Sequence, residues 1–241
     1  MAHNFLGTST LNPPKDLVSA RARFMSKVYM WMAMGLLTTG AVSYTIGSRE
    51  DLAMMIASNR GLMWVLILTQ LGSVIFLSSM IRKISSNVAT ILYALYAALV
   101  GVTMSVIFLI YTQQSIVQIF GLTSFAFAGL SAFGYLTKKD LGPIGSFCIM
   151  GLWGLIGVSI ASIFFPSLMG GQFGLLMSVM GLLVFSGLTA YDTQKIKNMY
   201  HVDAAGGEEA QKAAIFGALI LYLDFINLFM YMLRFMGDRR K

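Results

Sequence analysis

The sequence predicts an all-α membrane protein, a bundle of seven transmembrane helices, and three observations carry that expectation. Of the 241 residues, 57% are hydrophobic and 11% charged, where soluble domains run at about 45–50% and about 25%. The apolar residues come in runs long enough to cross roughly 30 Å of hydrocarbon at about 1.5 Å per residue. Nothing alternates in polarity over the roughly 10 residues that a lipid-facing barrel strand requires, so helices must satisfy the backbone.

Each span is bounded by charge or turn chemistry. The first candidate, 25–46, follows a polar stretch carrying Pro13 and Pro14, with no apolar segment before it, so no cleavable signal peptide is expected. It stops at Ser48-Arg49-Glu50-Asp51. The second, 61–81, stops at Arg82-Lys83, and the third, 86–110, at the polar break from Tyr111 to Gln114. The fourth, 115–137, ends on Lys138-Lys139-Asp140. The fifth, 143–166, ends in the turn from Pro166 to Gly171. The sixth, 173–197, leads into the long connection Asn198 to Gln211, and the seventh is 212–236. The chain therefore divides into a polar cytoplasmic tail at 1–23, a transmembrane domain at 24–236 and a basic tail at 237–241, with no separate soluble domain.

A formal net charge of +7 would suggest nucleic acid in a soluble domain. Here the positive charges sit at span ends, where they orient the chain and meet anionic headgroups, so no nucleic-acid partner is expected. With the amino terminus cytoplasmic, that side holds Lys15, Arg21, Arg23, Lys27, Arg82, Lys83, Lys138, Lys139, Lys195, Lys197 and Lys212, eleven of the seventeen Lys and Arg. Arg234, Arg239, Arg240 and Lys241 then fall on the far side, against the rule: either the last helix does not cross completely, or the earlier breaks outweigh the tail. The lone Cys148 lies in an apolar run and excludes an internal disulfide. Small residues at helical spacing, Gly151, Gly154 and Gly157, and Gly121, Ala128, Gly129 and Ala132, read as close-packing positions. The eighteen methionines read as packing filler. His3 and His201 lie outside the spans, too isolated to be ligands.

The chemistry concentrates on two acids. Asp224 stands deep in the last span, where a charge costs roughly 2.5–3.5 kcal/mol on insertion scales, and so needs a proton, a partner or water. Asp192 lies before the final connection as Asp224 lies after it, with the midpoint at residue 208 beside Gly206 and Gly207. Residues equidistant from the turn of an antiparallel hairpin share a depth, so the carboxyls can meet. Alternatively, Asp192 merely ends its helix and pairs with Lys195 one turn on. Two carboxyls in contact share one proton and titrate as a pair, which makes a proton-sensitive latch or a cation site. They also suit a hard cation such as Ca²⁺, although that ion takes about 6–8 oxygens.

Gly187-Leu188-Thr189-Ala190-Tyr191-Asp192-Thr193-Gln194-Lys195-Ile196-Lys197 and Leu221-Tyr222-Leu223-Asp224-Phe225-Ile226-Asn227-Leu228-Phe229 resemble the signature pair of the transmembrane Bax-inhibitor-motif family in its bacterial branch. Gly134 to Gly142 and Phe24 to Met32 fit the same pattern, and the resemblance runs from Arg21 onward. It implies a seven-helix fold in a bacterial inner membrane with the last helix central, wrapped by the other six, and a pH-sensitive calcium leak. In that family the acids matching Asp192 and Asp224 share a proton and gate the pore, and an arginine at the inner end of the second helix locks one acid when closed. By position that arginine resembles Arg82, with Lys83 competing for the role. No cofactor is implied; calcium is the carried ion.

Two other classes remain open. Some bacterial relatives look like modulators of an ATP-dependent membrane protease, and the tail with Pro13 and Pro14 could be the engaged segment, although a disordered tail is the simpler reading. An intramembrane aspartyl protease also uses two acids on neighbouring helices. That class expects Gly-x-Gly-Asp at the second acid, where this chain has Tyr222-Leu223-Asp224, and no zinc spacing, phosphate loop or nucleophile triad appears, so no enzyme is expected.

Overall fold

The computed structural model describes residues 15–81, 83–165, 167, 170–199 and 207–240, with side chains from residue 18 onward. Among them nine helices follow in order: α1 (Lys15–Gly47), α2 (Glu50–Ser58), α3 (Arg60–Met80), α4 (Ser86–Met104), α5 (Ile107–Ile110), α6 (Gln113–Leu136), α7 (Gly142–Phe164), α8 (Gly171–Met199) and α9 (Gly207–Met236). Local chemistry sets several of the starts. The side chains of Asn59, Ser85 and Thr112 accept from the backbone N–H of Leu62, Val88 and Ser115, capping α3, α4 and α6. Pro143 stands in the first turn of α7, where its missing N–H costs nothing.

Six of these segments are long and apolar enough to span a membrane: Arg60–Met80, Ser86–Ile110, Gln113–Leu136, Gly142–Phe164, Gly171–Met199 and Gly207–Met236. The chain is a multi-pass, all-helical membrane protein. Its outward side chains agree, with Phe125 84% exposed and Leu37 73% exposed, positions that only hydrocarbon would tolerate in such number. The expected first span is helical throughout, but hydroxyls dilute its hydropathy. Two of them are satisfied on backbone carbonyls of their own helix: Thr38 Oγ1 donates to Met34 O at 2.9 Å and Thr45 Oγ1 to Ala41 O at 2.7 Å, whereas the buried Ser43 Oγ has no partner among the described residues.

Four boundaries depart from the expectation, the last being the start of α9 at Gly207, inside the expected connection from Asn198 to Gln211. α1 starts at Lys15, so the described part of the polar 1–23 stretch is helix; a charged residue ends an apolar run without ending a helix. The break after Gly47 contains the short helix α2, in which only Ala53 and Ile56 are buried. The third span tightens after Met104, where Phe108 N donates to Ser105 O at 3.2 Å and Leu109 N to Val106 O at 3.1 Å, giving the separate turn α5.

α9 is the packed centre. It lies against α1, α4, α6 and α8, and Ile215, Leu219, Tyr222, Phe225, Leu228 and Leu233 are buried around its circumference. Tyr222 sits edge-on to Tyr93 and Tyr96, with ring centroids 6.1 and 5.9 Å away, and shares a 2.7 Å hydrogen bond with Thr39 Oγ1. The wrapping by six helices that the resemblance implied is incomplete, because α3 packs on α4 and α7 on α8, outside the inner ring. Both outer helices are apolar all round and bury little, which lipid accommodates. The close-packing reading of Gly154, Gly157, Gly121 and Gly129 is corrected, the first two because α7 is an outer helix and the last two because they stand on a face of α6 turned away from its neighbours: a Cβ there would meet nothing within 4 Å, whereas at Gly151 it would meet Val184 Cγ2 at 2.7 Å.

The final helix runs from one end of the bundle to the other. Near its start the Glu208 carboxylate accepts from Ser86 N at 2.8 Å. At its finish Thr112 N donates to Asp238 O at 3.0 Å, Arg240 N to Ile110 O at 2.9 Å and Asp238 N to Ser115 Oγ at 2.9 Å. Ser86 and Ile110 are opposite ends of one spanning segment. Arg234, Arg239 and Arg240 therefore lie at the opposite end of the bundle from Lys138 and Lys197.

Candidate functional site

Asp224 is placed by α9 at the centre of the bundle, 5% exposed, and its Oδ2 has no hydrogen-bond partner among the described residues. A buried carboxyl oxygen left unmatched costs roughly 1–3 kcal/mol. Asp192 is half-buried on α8, the helix that packs most extensively on α9, and it is close enough for the two carboxyl charges to act on one another.

The register between the two helices follows from their closest approaches. A Cβ on Gly217 would meet Ile196 Cγ2 at 2.9 Å, and one on Gly181 would run into the Tyr231 ring. Both pairings are centred within two residues of the midpoint between Asp192 and Asp224. The acids thus lie within about one helical turn of a common depth.

The polar neighbours of Asp192 on α8 are committed elsewhere. Thr189 and Thr193 donate to Phe185 O and Thr189 O, each at 2.7 Å, and Thr193 Oγ1 also lies 2.9 Å from Ser131 Oγ. The Lys195 ammonium, the alternative partner for Asp192, is exposed and sits 5.6 Å from the centroid of the Tyr191 ring, yet it is near enough for its charge to act on Asp192. Sequence reasoning missed Gln194. Its Nε2 donates to Lys139 O at 2.8 Å and its Oε1 accepts from Leu141 N at 2.9 Å, so it holds the α6–α7 connection. Lys197 likewise donates to Tyr135 O at 2.7 Å, next to the end of α6. The signature stretch around Asp192 therefore works partly as a clamp that fixes α8 to its neighbours. Its glutamine and lysine could have been suspected from their spacing of three, which puts them near one face of the helix.

Gly134 makes that clamp possible. A Cβ there would collide with the Ala190 carbonyl oxygen and lie 2.9 Å from its carbon, so α6 and α8 touch backbone to backbone two residues before Asp192.

Of the cations assigned to the latch, Arg82 lies outside the described residues. Lys83 is exposed, its backbone N–H bonded to Met80 O at 2.8 Å. His3, His201, Pro13 and Pro14 also lie outside the described residues. No group of three or more His, Cys, Asp or Glu side chains converges among the described residues. The two carboxyls alone supply fewer oxygens than the roughly 6–8 of a resident calcium site.

The family model described as inhibitor of apoptosis-promoting Bax1 matches residues 21–241. A protein of Borreliella burgdorferi is 44% identical over 230 residues, covering 95% of this chain and 98% of its own length. The inner membrane protein YbhL of Escherichia coli K12 is 42% identical over 220 residues, 90% of this chain and 92% of YbhL. A protein of Rickettsia prowazekii is 39% identical over 232 residues, 96% of each chain.

Proposed function

Since the chain belongs to the Bax inhibitor-1-like family, we propose that it is a seven-span cation leak pathway in an inner membrane, carrying calcium and gated by a proton shared between Asp192 and Asp224. The observation that carries this reading is the Asp224 carboxyl, buried in the central helix with one oxygen unmatched and with Asp192 within about one helical turn of its depth on the adjoining helix. A membrane-embedded acid is retained at a cost to stability, which argues for a working role.

In this reading α1 is the seventh span, the amino terminus is cytoplasmic and the carboxyl terminus lies on the far side. The end-to-end course of α9 supports the last point. With the pair protonated its net negative charge falls. With it ionised, the carboxylates either attract a cation or are locked by a neighbouring base, for which Arg82 and Lys83 stand as candidates by sequence position. No covalent chemistry is assigned to the acids, because Leu221-Tyr222-Leu223-Asp224 lacks the glycines of an intramembrane protease.

The test is calcium flux from liposomes holding the purified protein, read from acid to neutral pH. Wild type should show a pH-dependent flux. D192N and D224N, which keep the shape and remove the titration, should lose the pH response or the flux itself. Unchanged pH dependence in the double variant would refute the gate.

A further inference from the structure

We propose that the cleft between α1 and α6 is a binding site for one anionic phospholipid of the surrounding bilayer, its headgroup at the basic end and its acyl chains lying along the cleft. α1 and α6 each pack on α9 but make no extended contact with one another. The gap between them is a cavity of about 730 Å³ whose walls include Met25, Met32, Ala128 and Ala132 and whose floor is Phe225. A second cavity of about 490 Å³ continues it, sharing Leu36 and Phe225 and reaching Tyr44.

From Ala22 to Tyr44 the cleft follows α1 for about 33 Å, the thickness of the hydrocarbon core. The first cavity, Ala22 to Leu36, covers about 21 Å of that, somewhat more than the roughly 15 Å depth of one leaflet. Small side chains on α6 recess the wall. Both volumes fall within the roughly 300–1,000 Å³ usual for ligand pockets, and most of the lining is apolar, which suits acyl chain, with hydroxyls of Ser26, Tyr29, Ser124, Ser131 and Tyr135 along the first cavity.

Charge decides which lipid. At the end where Ala22 and Tyr135 line the cleft, the Lys197 ammonium lies 5.5 Å from the Tyr135 ring centroid, and the Arg21 guanidinium is near enough to act on the Lys197 charge. Arg21 Nε is buried and has no acceptor among the described residues. Lys138 and Lys139 follow directly after α6. A phosphate there would offset two adjacent cations, each worth about 1 kcal/mol toward an anionic surface. The Tyr29 hydroxyl, 2.6 Å from Ser131 Oγ, bridges the two helices below the headgroup level.

The experiment reconstitutes the full chain into vesicles of equal phosphatidylglycerol and phosphatidylcholine, extracts it in mild detergent and weighs the intact complex by native mass spectrometry. Wild type should retain one phosphatidylglycerol per chain. A132W, which fills the cleft from an exposed position, should lose it, and A128W, one turn away, reads the same wall if A132W folds poorly by circular dichroism. R21Q should cut the preference for phosphatidylglycerol over phosphatidylcholine about fivefold. F125W, on the outward lipid face, should behave as wild type. Retention of both lipids in the vesicle ratio, retention of phosphatidylglycerol by folded A132W or A128W, an unaltered preference in R21Q, or equal loss in F125W would each overturn the site.

Discussion

Gly134→Ala tests how tightly the candidate site is held. The added methyl would strike the Ala190 carbonyl oxygen and come within 2.9 and 3.0 Å of its carbon and Cα. That wall is backbone and cannot rotate away, so α6 must move off α8 by roughly an ångström, an overpacking cost of about 1–3 kcal/mol. The displacement also stretches the 2.9 Å contact between Ser131 and Thr193 and the 2.6 Å contact between Tyr29 and Ser131, each worth about 1 kcal/mol. The sum, about 3–5 kcal/mol, corresponds to about 6–20 °C in Tm for a chain of this size. Gly154→Ala is the control: its Cβ meets nothing within 4 Å, and the helix gains about 0.5–1 kcal/mol in propensity. Thermal unfolding in detergent, followed by circular dichroism, should place Gly134→Ala well below wild type and Gly154→Ala at or above it. A Gly134→Ala melting point within 1 °C of wild type (roughly 0.3–0.5 kcal/mol) would refute the backbone contact between α6 and α8.

Other outcomes follow from the same geometry. Gln194→Ala leaves the buried Leu141 N and the Lys139 carbonyl without partners and should cost about 1–3 kcal/mol, with faster proteolysis in the α6–α7 connection as the readout; unchanged cleavage would count against the clamp. Tyr222→Phe removes the bond to Thr39, which keeps its 2.8 Å bond to Ala97 O, so the loss in thermal unfolding should stay near about 1 kcal/mol. A reporter fused after Lys139 should read cytoplasmic and one after Lys241 the opposite side; a cytoplasmic reading from both would refute the full crossing by α9. Asp224→Asn should abolish the pH response of calcium flux in liposomes while the protein keeps its helix content.

Much of this protein is legible in its sequence because hydropathy is local. A run of apolar residues in lipid must be helical whatever surrounds it, so the spans from Arg60 onward follow the apolar runs to within a few residues. Asp224 is conspicuous for the same reason, as an acid where none is tolerated without cause. Its pairing in depth with Asp192 follows from counting outward along two antiparallel helices of equal rise. Packing partners are not local. Small residues on α6 and α7 look alike in sequence, yet Gly134 meets the backbone of α8 while Gly154 and Gly157 face open space, because only the tertiary arrangement puts α6 in the inner ring and α7 outside it. The same arrangement gives Gln194 and Lys197 their task of holding the α6 end, straps Asp238 and Arg240 to the Tyr111 turn, and opens a cleft between α1 and α6. Each of these depends on which helices are neighbours, and in a bilayer that choice is made by shape and hydrogen bonding among surfaces of nearly equal hydropathy.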